Sequence, residues 1–267
     1  MKTGSNRSKQ RTLLIDGDVL LYRFGFANQS AVEWEAGVVS EWETPDLAIA
    51  SLDEFVAHLQ ERTSCAKKEP IVCLSGPSKT MFRYTILSSY KHNRKDKEKP
   101  RLYQLLKDHI LENYNVSKKE NLEADDCLGI LSTKKPDRFV VTTIDKDLAQ
   151  VPGLLFNWDK DNVPKQITKE EADKYFYKQI LSGDPVDGYS GVPGIGVKKA
   201  DKIIDTLYDE VGGSPSPGEV WETILEVYGK KDLDESYALT MARMARILRA
   251  EDWDSERQEP ILWTPHK

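Results

Sequence analysis

Hydrophobic residues fall along the chain in two kinds of pattern. Short unbroken apolar runs at 12–15, 71–74, 138–143 and 154–156 predict β-strands covered on both faces. Longer stretches, in which apolar residues recur every three or four positions, predict helices over 19–26, from Pro45 to Leu59, over 102–114 and over 122–131. Leu47, Ile49, Leu52, Phe55, Val56 and Leu59 carry the second of these repeats, and Leu105, Leu106, Ile110 and Leu111 the third. Residues 32–43 alternate weakly around Glu35-Ala36-Gly37, which predicts a hairpin. The run at 154–156 is expected to pair with a segment near Gln166. Beyond about residue 168 strand patterns stop and helical periods take over, broken by Gly212-Gly213-Ser214-Pro215-Ser216-Pro217-Gly218. The apolar tail Ile261-Leu262-Trp263 is expected to fold back onto the body, and residues 1–11 to form a disordered arm.

Strand then helix, repeated, implies a mostly parallel sheet with helices on both faces, an α/β fold. Ligands of such sheets sit beyond the carboxyl ends of the strands. Acids stand there in this sequence: Asp16 and Asp18 after the first strand, Asp145 and Asp147 after the third.

With 267 residues, 39% of them hydrophobic and 31% charged, the chain has material for one large or two small globular domains. Its net charge of −6 excludes bulk electrostatic attraction to nucleic acid but leaves room for local basic patches and for a metal site built of acids. No apolar stretch approaches the ~18 residues of a membrane span. The basic N-terminus lacks an apolar signal core, and three scattered cysteines (Cys65, Cys73 and Cys127) fit reduced thiols in a cytosolic protein.

Nine acids lie in four short segments: Asp16-Gly17-Asp18, Glu123-Ala124-Asp125-Asp126, Asp145-Lys146-Asp147 and Asp184-Pro185-Val186-Asp187. Extended chain at a strand end sends residues i and i+2 to one side, so Asp16 with Asp18, and Asp145 with Asp147, can share a point. A helix sends i and i+3 to one face, which lets Glu123 converge with Asp126 and Asp184 with Asp187. Any one segment alone would read as turn or cap chemistry. Four together, at element boundaries, concentrate a negative charge that calls for cations, and hard oxygen ligands suit Mg²⁺ or Mn²⁺ rather than zinc.

Residues 90–101 hold six Lys or Arg against two acids and almost nothing apolar, so the segment is expected to project from the body and to meet phosphate. Lys91 and Arg94 would share a helical face. Further on, Gly188-Tyr189-Ser190-Gly191-Val192-Pro193-Gly194-Ile195-Gly196 leads into a helix from about Val197 that carries Lys198, Lys199 and Lys202. Glycines allow close backbone approach to a phosphate, and a helix N-terminus offers free N–H groups to it, so the string reads as a reader of the duplex backbone. Arg243, Arg246 and Arg249 form a further basic series that fits a surface helix face.

The ordered set Asp-Gly-Asp, Tyr-Lys-x-x-Arg, Glu-Ala-Asp-Asp, Thr-x-Asp-x-Asp, Gly-Asp-x-x-Asp and Gly-Val-x-Gly-Ile-Gly resembles the flap-endonuclease superfamily of 5′-nucleases. The likeness is nearest to phage 5′–3′ exonucleases and the 5′-nuclease domain of bacterial DNA polymerase I, and spans about Leu13 to Leu207. It implies a PIN-like nuclease domain over 12–167 with a basic helical arch at about 85–115. A helical region over 168–267 would follow, with a helix–two-turn–helix duplex module at about 183–210. Asp16, Glu123, Asp125 and Asp126 would form the metal centre for two Mg²⁺ or Mn²⁺, with Asp145, Asp147, Asp184 and Asp187 as ligands or their supports. Lys91 and Arg94 would act on the scissile phosphate beside Tyr90, making Lys91, Arg94, Asp16, Asp125 and Asp145 the catalytic set. Tyr90, Lys91, Arg94, Lys95, Gly191, Gly194, Gly196, Lys198 and Lys199 would bind DNA, and relatives hold a K⁺ ion through carbonyls of the glycine loop. One departure is visible. Relatives often carry an Asp just after the second strand, where this chain reads Ser75-Gly76-Pro77-Ser78; Asp18 is expected to replace part of that charge as a metal ligand.

The activity implied is metal-dependent 5′–3′ exonuclease and flap endonuclease action on duplex DNA with a 5′ end, nick or flap. It would leave 5′-phosphate products, with RNA–DNA hybrid as a second substrate class. The resemblance further implies a monomer without membrane contact, at work in replication or recombination in the cytoplasm of a bacterial or phage-infected cell. Two other readings use the same acids: a PIN-type ribonuclease, which does not need the glycine-rich module, and a non-catalytic structure-specific DNA binder. A Mg²⁺ phosphatase would leave the duplex module unexplained.

Overall fold

A computed structural model describes residues 10–33, 39–94 and 98–265. In chain order the elements are β1 (Thr12–Asp16), α1 (Gly17–Ala27), β2 (Gln29–Glu33), β3 (Val39–Glu43), α2 (Pro45–Arg62), β4 (Ile71–Leu74), α3 (Arg83–Ile86), α4 (Tyr103–Asn113) and β5 (Asn115–Lys118). There follow α5 (Ala124–Lys134), β6 (Phe139–Thr142), β7 (Gly153–Phe156), β8 (Lys165–Ile167), α6 (Lys169–Ser182), α7 (Val197–Val211), α8 (Pro217–Gly229) and α9 (Glu235–Ala245). Six strands form one sheet in the order β5-β4-β1-β6-β7-β8, parallel except for the β7–β8 pair. This is the α/β architecture that the alternation of strand and helix implies.

The central strands are apolar without a break because both faces are covered. Leu13 and Ile15 of β1, Val72 and Leu74 of β4 and Val140 of β6 pack into one core with α1, α2 and α4. Their neighbours Leu14, Cys73 and Val141 point to the other face, against α5. Helix α2 begins with Pro45, whose missing N–H costs nothing at a helix start, and buries Ala48, Leu52, Val56 and Leu59 along one stripe. A third core gathers α6 to α9. Trp263 closes it by packing edge-on against Phe176 and Trp221, at 5.2 and 5.4 Å between ring centres, so the tail does fold back. Helix α7 ends at Gly212, whose φ of 68° is a left-handed cap, and α8 restarts at Pro217 under a Ser216–Glu219 capping box.

The strands β2 and β3 pair antiparallel as the predicted hairpin. The expected N-terminal arm lies outside the described residues as far as residue 9, and so does Lys95. Among the described residues no helix is long and apolar enough to cross a membrane.

Two expectations change. The edge strand β5 was not anticipated, because Asn115-Val116-Ser117-Lys118 carries a single aliphatic residue and gains strand structure only by pairing with β4. The described ends of the basic segment, 90–94 and 98–101, rest on the body. Tyr90 is 2% exposed and joins the third core, only a short turn at His92–Arg94 follows, and α4 sits in the first core through Leu106 and Ile110. One deeply buried aromatic docks a segment whose other residues are polar.

Candidate active site

The carboxyl ends of β1, β4 and β6 open on one side of the sheet, and the acids gather there. Asp16 ends β1 and caps α1: one carboxylate oxygen accepts the Val19 N–H at 3.2 Å, the other the Thr143 hydroxyl at 2.7 Å. The same Thr143 oxygen accepts the Asp145 N–H at 3.0 Å, so one hydroxyl ties two acids from adjacent strands. Asp145 in turn caps the turn after β6 by accepting the Asp147 N–H at 2.8 Å, and Asp147 accepts the Tyr175 hydroxyl of α6 at 2.9 Å. Gly17 lets α1 start against β4, because a Cβ there would stand 2.5 Å from Val72 Cγ1 and 2.7 Å from the Cys73 carbonyl.

Asp18 lies in the first turn of α1, not in extended chain. Its carboxylate accepts the Ser75 N–H at 3.2 Å, at the end of β4 where the sequence lacks an acid. Ser75 Oγ also accepts the Ala124 N–H at 2.9 Å and so ties the start of α5 to the same point. Asp125 stands in that first turn of α5.

Electrostatics separate two groups among the nine acids. Asp16, Asp18, Asp125 and Asp145 have no ion pair among the described residues. Burial, with Asp18 and Asp145 nearby, pushes Asp16 up to about 7. Burial, then Asp16, Asp145 and Glu123, push Asp125 well up, and burial raises Asp18. Glu123, Asp126 and Asp187 are instead neutralised by protein cations. Arg83, fully enclosed, donates to Asp126 at 2.6 and 2.8 Å and to Glu123 at 2.9 Å. It also donates to the carbonyls of Met244 in the last turn of α9 and of Arg246 just beyond it, at 3.3 and 2.7 Å. Lys91 donates to Glu123 and lies 3.7 Å from Asp187, while Arg94 pairs with Asp187. Burial alone would raise Glu123, but Lys91 and Arg83 outweigh it and hold the carboxyl at about 2. The Tyr90 hydroxyl is 2.8 Å from Glu123 and 3.2 Å from Asp187.

Several pairings expected from spacing therefore take another form. Glu123 and Asp126 do converge, but on Arg83 and on each other's backbone as a capping box. Asp126 has no free oxygen: one accepts from Arg83 and the Leu248 N–H at 3.1 Å, the other from Arg83 and the Glu123 N–H. It reads as the anchor of Arg83, not as a metal ligand. Asp184 and Asp187 sit in a tight loop rather than on a helix. Asp184 bridges to Tyr189 and accepts the Val186 N–H at 2.8 Å, leaving Asp187 to face the basic segment. Lys91, at φ 51°, opens a turn instead of lying on a helix face with Arg94; its N–H is held by the Asp187 carbonyl at 2.9 Å. The basic series near 243–249 is not a surface face, since Arg246 and Arg249 are buried, paired with Asp252 and Asp173. Of the glycine string, Gly194 and Gly196 are exposed ahead of α7, and Lys198 and Lys199 are exposed in its first turn. Gly183 and Gly191, both at positive φ, pack back to back where a Cβ on either would overlap the other. Arg83, Thr143, Ser75 and Tyr175 are functional supports that sequence reasoning missed; of these only Thr143 stands inside a motif.

Among the described residues no three Asp, Glu, His or Cys groups are drawn into a closed metal cage. The open acids instead face one another at longer range without a counter-ion. That is the donor set of a hard divalent ion that keeps much of its water, as Mg²⁺ does. A pH dependence follows for the metal-free protein. Asp16 has its folded pKa raised, so its contribution to stability is full below about pH 4 and is lost as pH climbs through about 7. The melting temperature gained on adding Mg²⁺ should therefore grow between about pH 5 and about pH 8, and Asp16→Asn should flatten that rise. Thermal melts with Mg²⁺ or EDTA across this range check it; a gain independent of pH would contradict the assignment.

Comparison with known proteins gives the family and the fold. Residues 11–176 match the model of the 5′-3′ exonuclease N-terminal resolvase-like domain. The exodeoxyribonuclease of Enterobacteria phage T3 is 27% identical over 281 residues, covering 95% of this chain and 92% of that protein. DNA polymerase I of Bacillus subtilis is 30% identical over 247 residues, 84% of this chain but 26% of the polymerase. In structure, the T5 D15 protein co-crystallised with metal ions superposes with a TM-score of 0.61, covering 88% of this chain and 89% of that one, a likeness of fold at 18% identity. Since the matched segment carries the sheet, the open acids and the docked basic turn alike, the chain belongs to the 5′–3′ exonuclease family.

Proposed function

We propose that this enzyme is a metal-dependent 5′–3′ exodeoxyribonuclease that also cuts 5′ flaps, hydrolysing DNA phosphodiesters near 5′ ends to leave 5′-phosphates. The observation that carries the reading is a set of carboxylates, Asp16 buried and Asp18, Asp125 and Asp145 partly so, without an ion pair among the described residues, while Lys91 and Arg94 are held on the neighbouring Glu123 and Asp187. Asp16, Asp18, Asp125 and Asp145 would hold two Mg²⁺ or Mn²⁺ ions, with Asp147 and Asp184 behind them. Bound there, such ions supply a hydroxide near neutral pH and stabilise the leaving 3′-oxygen. Glu123 and Asp187 hold Lys91 and Arg94 at the edge of the acids, where both cations can turn to the phosphoryl oxygens as charge develops. Tyr90 fixes the same two carboxylates from the buried side. The loop Gly191, Gly194 and Gly196 with Lys198 and Lys199 would grip the duplex backbone.

The fit for K⁺ in that loop is poor, because the Gly194 carbonyl already accepts from the Lys199 ammonium at 2.9 Å. RNA–DNA hybrid as a second substrate class, a monomeric state and a cytoplasmic site of action belong to the same reading.

Product sizing on 5′-labelled blunt, nicked and flapped duplexes, with Mg²⁺ or EDTA and with single-stranded RNA alongside, tests it. Short 5′ products from blunt and nicked DNA and flap-length products from flapped DNA, all lost in EDTA, are expected. Cleavage of RNA alone would favour a ribonuclease; binding without any cleavage would favour a non-catalytic binder.

A further inference from the structure

Three lysines converge beside Asp18 without an ion pair to it among the described residues, although Lys107 and Asp18 act on each other's charge. Lys99, ahead of α4, places its ammonium 4.1 Å from the centre of the Tyr103 ring, and Lys107, one turn further along α4, lies 5.9 Å from the same ring. Tyr22 of α1 braces the ring edge-on at 5.7 Å. Lys118, the last residue of β5, completes the group; among the described residues its one carboxylate contact is the exposed Glu120 at 3.5 Å. Lys107 is half-buried and neither it nor Lys99 has an ion pair among the described residues. Burial, together with Lys118 and Lys99, lowers the Lys107 ammonium below its ordinary range, while Asp18 opposes this. An aromatic face steadies an ammonium group but leaves its N–H donors unspent. Asp18 and Asp108 offset part of this charge, and like charges this close remain costly unless a further anion joins them.

The position fits a strand of DNA. Strands β1, β4 and β5 are neighbours in that order, so Lys118 lies about 10 Å from the β1 end that carries Asp16. The glycine loop follows α6, which touches the opposite flank through Tyr175 and Asp147 beyond β6. A strand gripped at that loop and crossing the open acids runs toward the lysines.

We propose that Lys99, Lys107 and Lys118 form an anion subsite around Tyr103 for a phosphate group of the DNA strand leaving the metal centre. The assignment rests on the nuclease reading above for the path of the strand. The phosphate is either the 5′-terminal monoester or an internal diester of a flap, and the two sources separate experimentally.

Anisotropy in EDTA, on the full chain, gives the test. Nicked duplexes with a 5′-phosphate or a 5′-hydroxyl form one arm. Flapped duplexes with a natural or a methylphosphonate linkage just 5′ of the branch form the other. In at least one arm the parent should bind the charged DNA about tenfold more tightly, and Lys107→Gln with Lys118→Gln should erase that difference without weakening binding to the neutral partner. The arm that responds names the source. Equal loss on charged and neutral DNA, or no loss in either arm, overturns the subsite. No metal is present, so a failed metal assignment would show as absent cleavage in Mg²⁺ and leave this readout unaffected.

Discussion

Asp125→Asn and Asp145→Asn are each expected to abolish cleavage, by at least about a thousandfold, while leaving duplex affinity nearly unchanged. Asparagine keeps the shape of either side chain and removes only its charge. At Asp145 the oxygen that accepts the Asp147 N–H survives the change, so the turn after β6 keeps its cap. Among the described residues Asp125 has neither a salt bridge nor a side-chain hydrogen bond to lose, and its enclosure beside Asp16, Asp145 and Glu123 makes its charge a liability to the metal-free fold. Both variants should therefore fold at least as well as the parent without metal. The loss should appear in single-turnover rates with Mg²⁺, and anisotropy in EDTA should show retained binding through the glycine loop and α7. Parental turnover in both variants would refute the metal assignment.

Lys91→Ala is expected to slow the chemical step about a hundredfold or more with a smaller effect on duplex affinity. In the free protein the Lys91 ammonium rests on Glu123 and near Asp187. Its removal leaves Glu123 paired with Arg83 and Tyr90, so the start of α5 should hold. What disappears is the cation that acts on Asp125, where in the proposed reaction negative charge would build on the phosphoryl oxygens. Single-turnover rates at saturating enzyme, set against dissociation constants in EDTA, separate the two effects. A change in affinity alone would make Lys91 a positioning residue.

How much of this was legible beforehand depends on what each residue's neighbours are. Strands β1, β4, β6 and β7 stand in the sequence as apolar runs, because a strand covered on both faces has no polar side to interrupt it. The start of α5 is legible for a related reason: acids in a first turn are favoured by the free N–H groups there. The edge strand β5 was hidden, since one valine among polar residues gives no periodic signal. Arg83 was hidden as well, as a lone arginine in an aromatic stretch looks the same whether it meets solvent or two carboxylates.

The sequence by itself determined the α/β class, the acids at strand ends, the glycine loop and the family, because these follow from local periodicity and from the order of short motifs. Only the tertiary structure decided which acids stay open and which are neutralised. Asp126 and Glu123 lie within three residues of Asp125, yet Arg83 arrives from forty residues away to claim them, and Tyr90 docks a basic turn against Glu123 and Asp187. Spacing states which side chains can meet, but charge pairing depends on what distant segments bring to the same point.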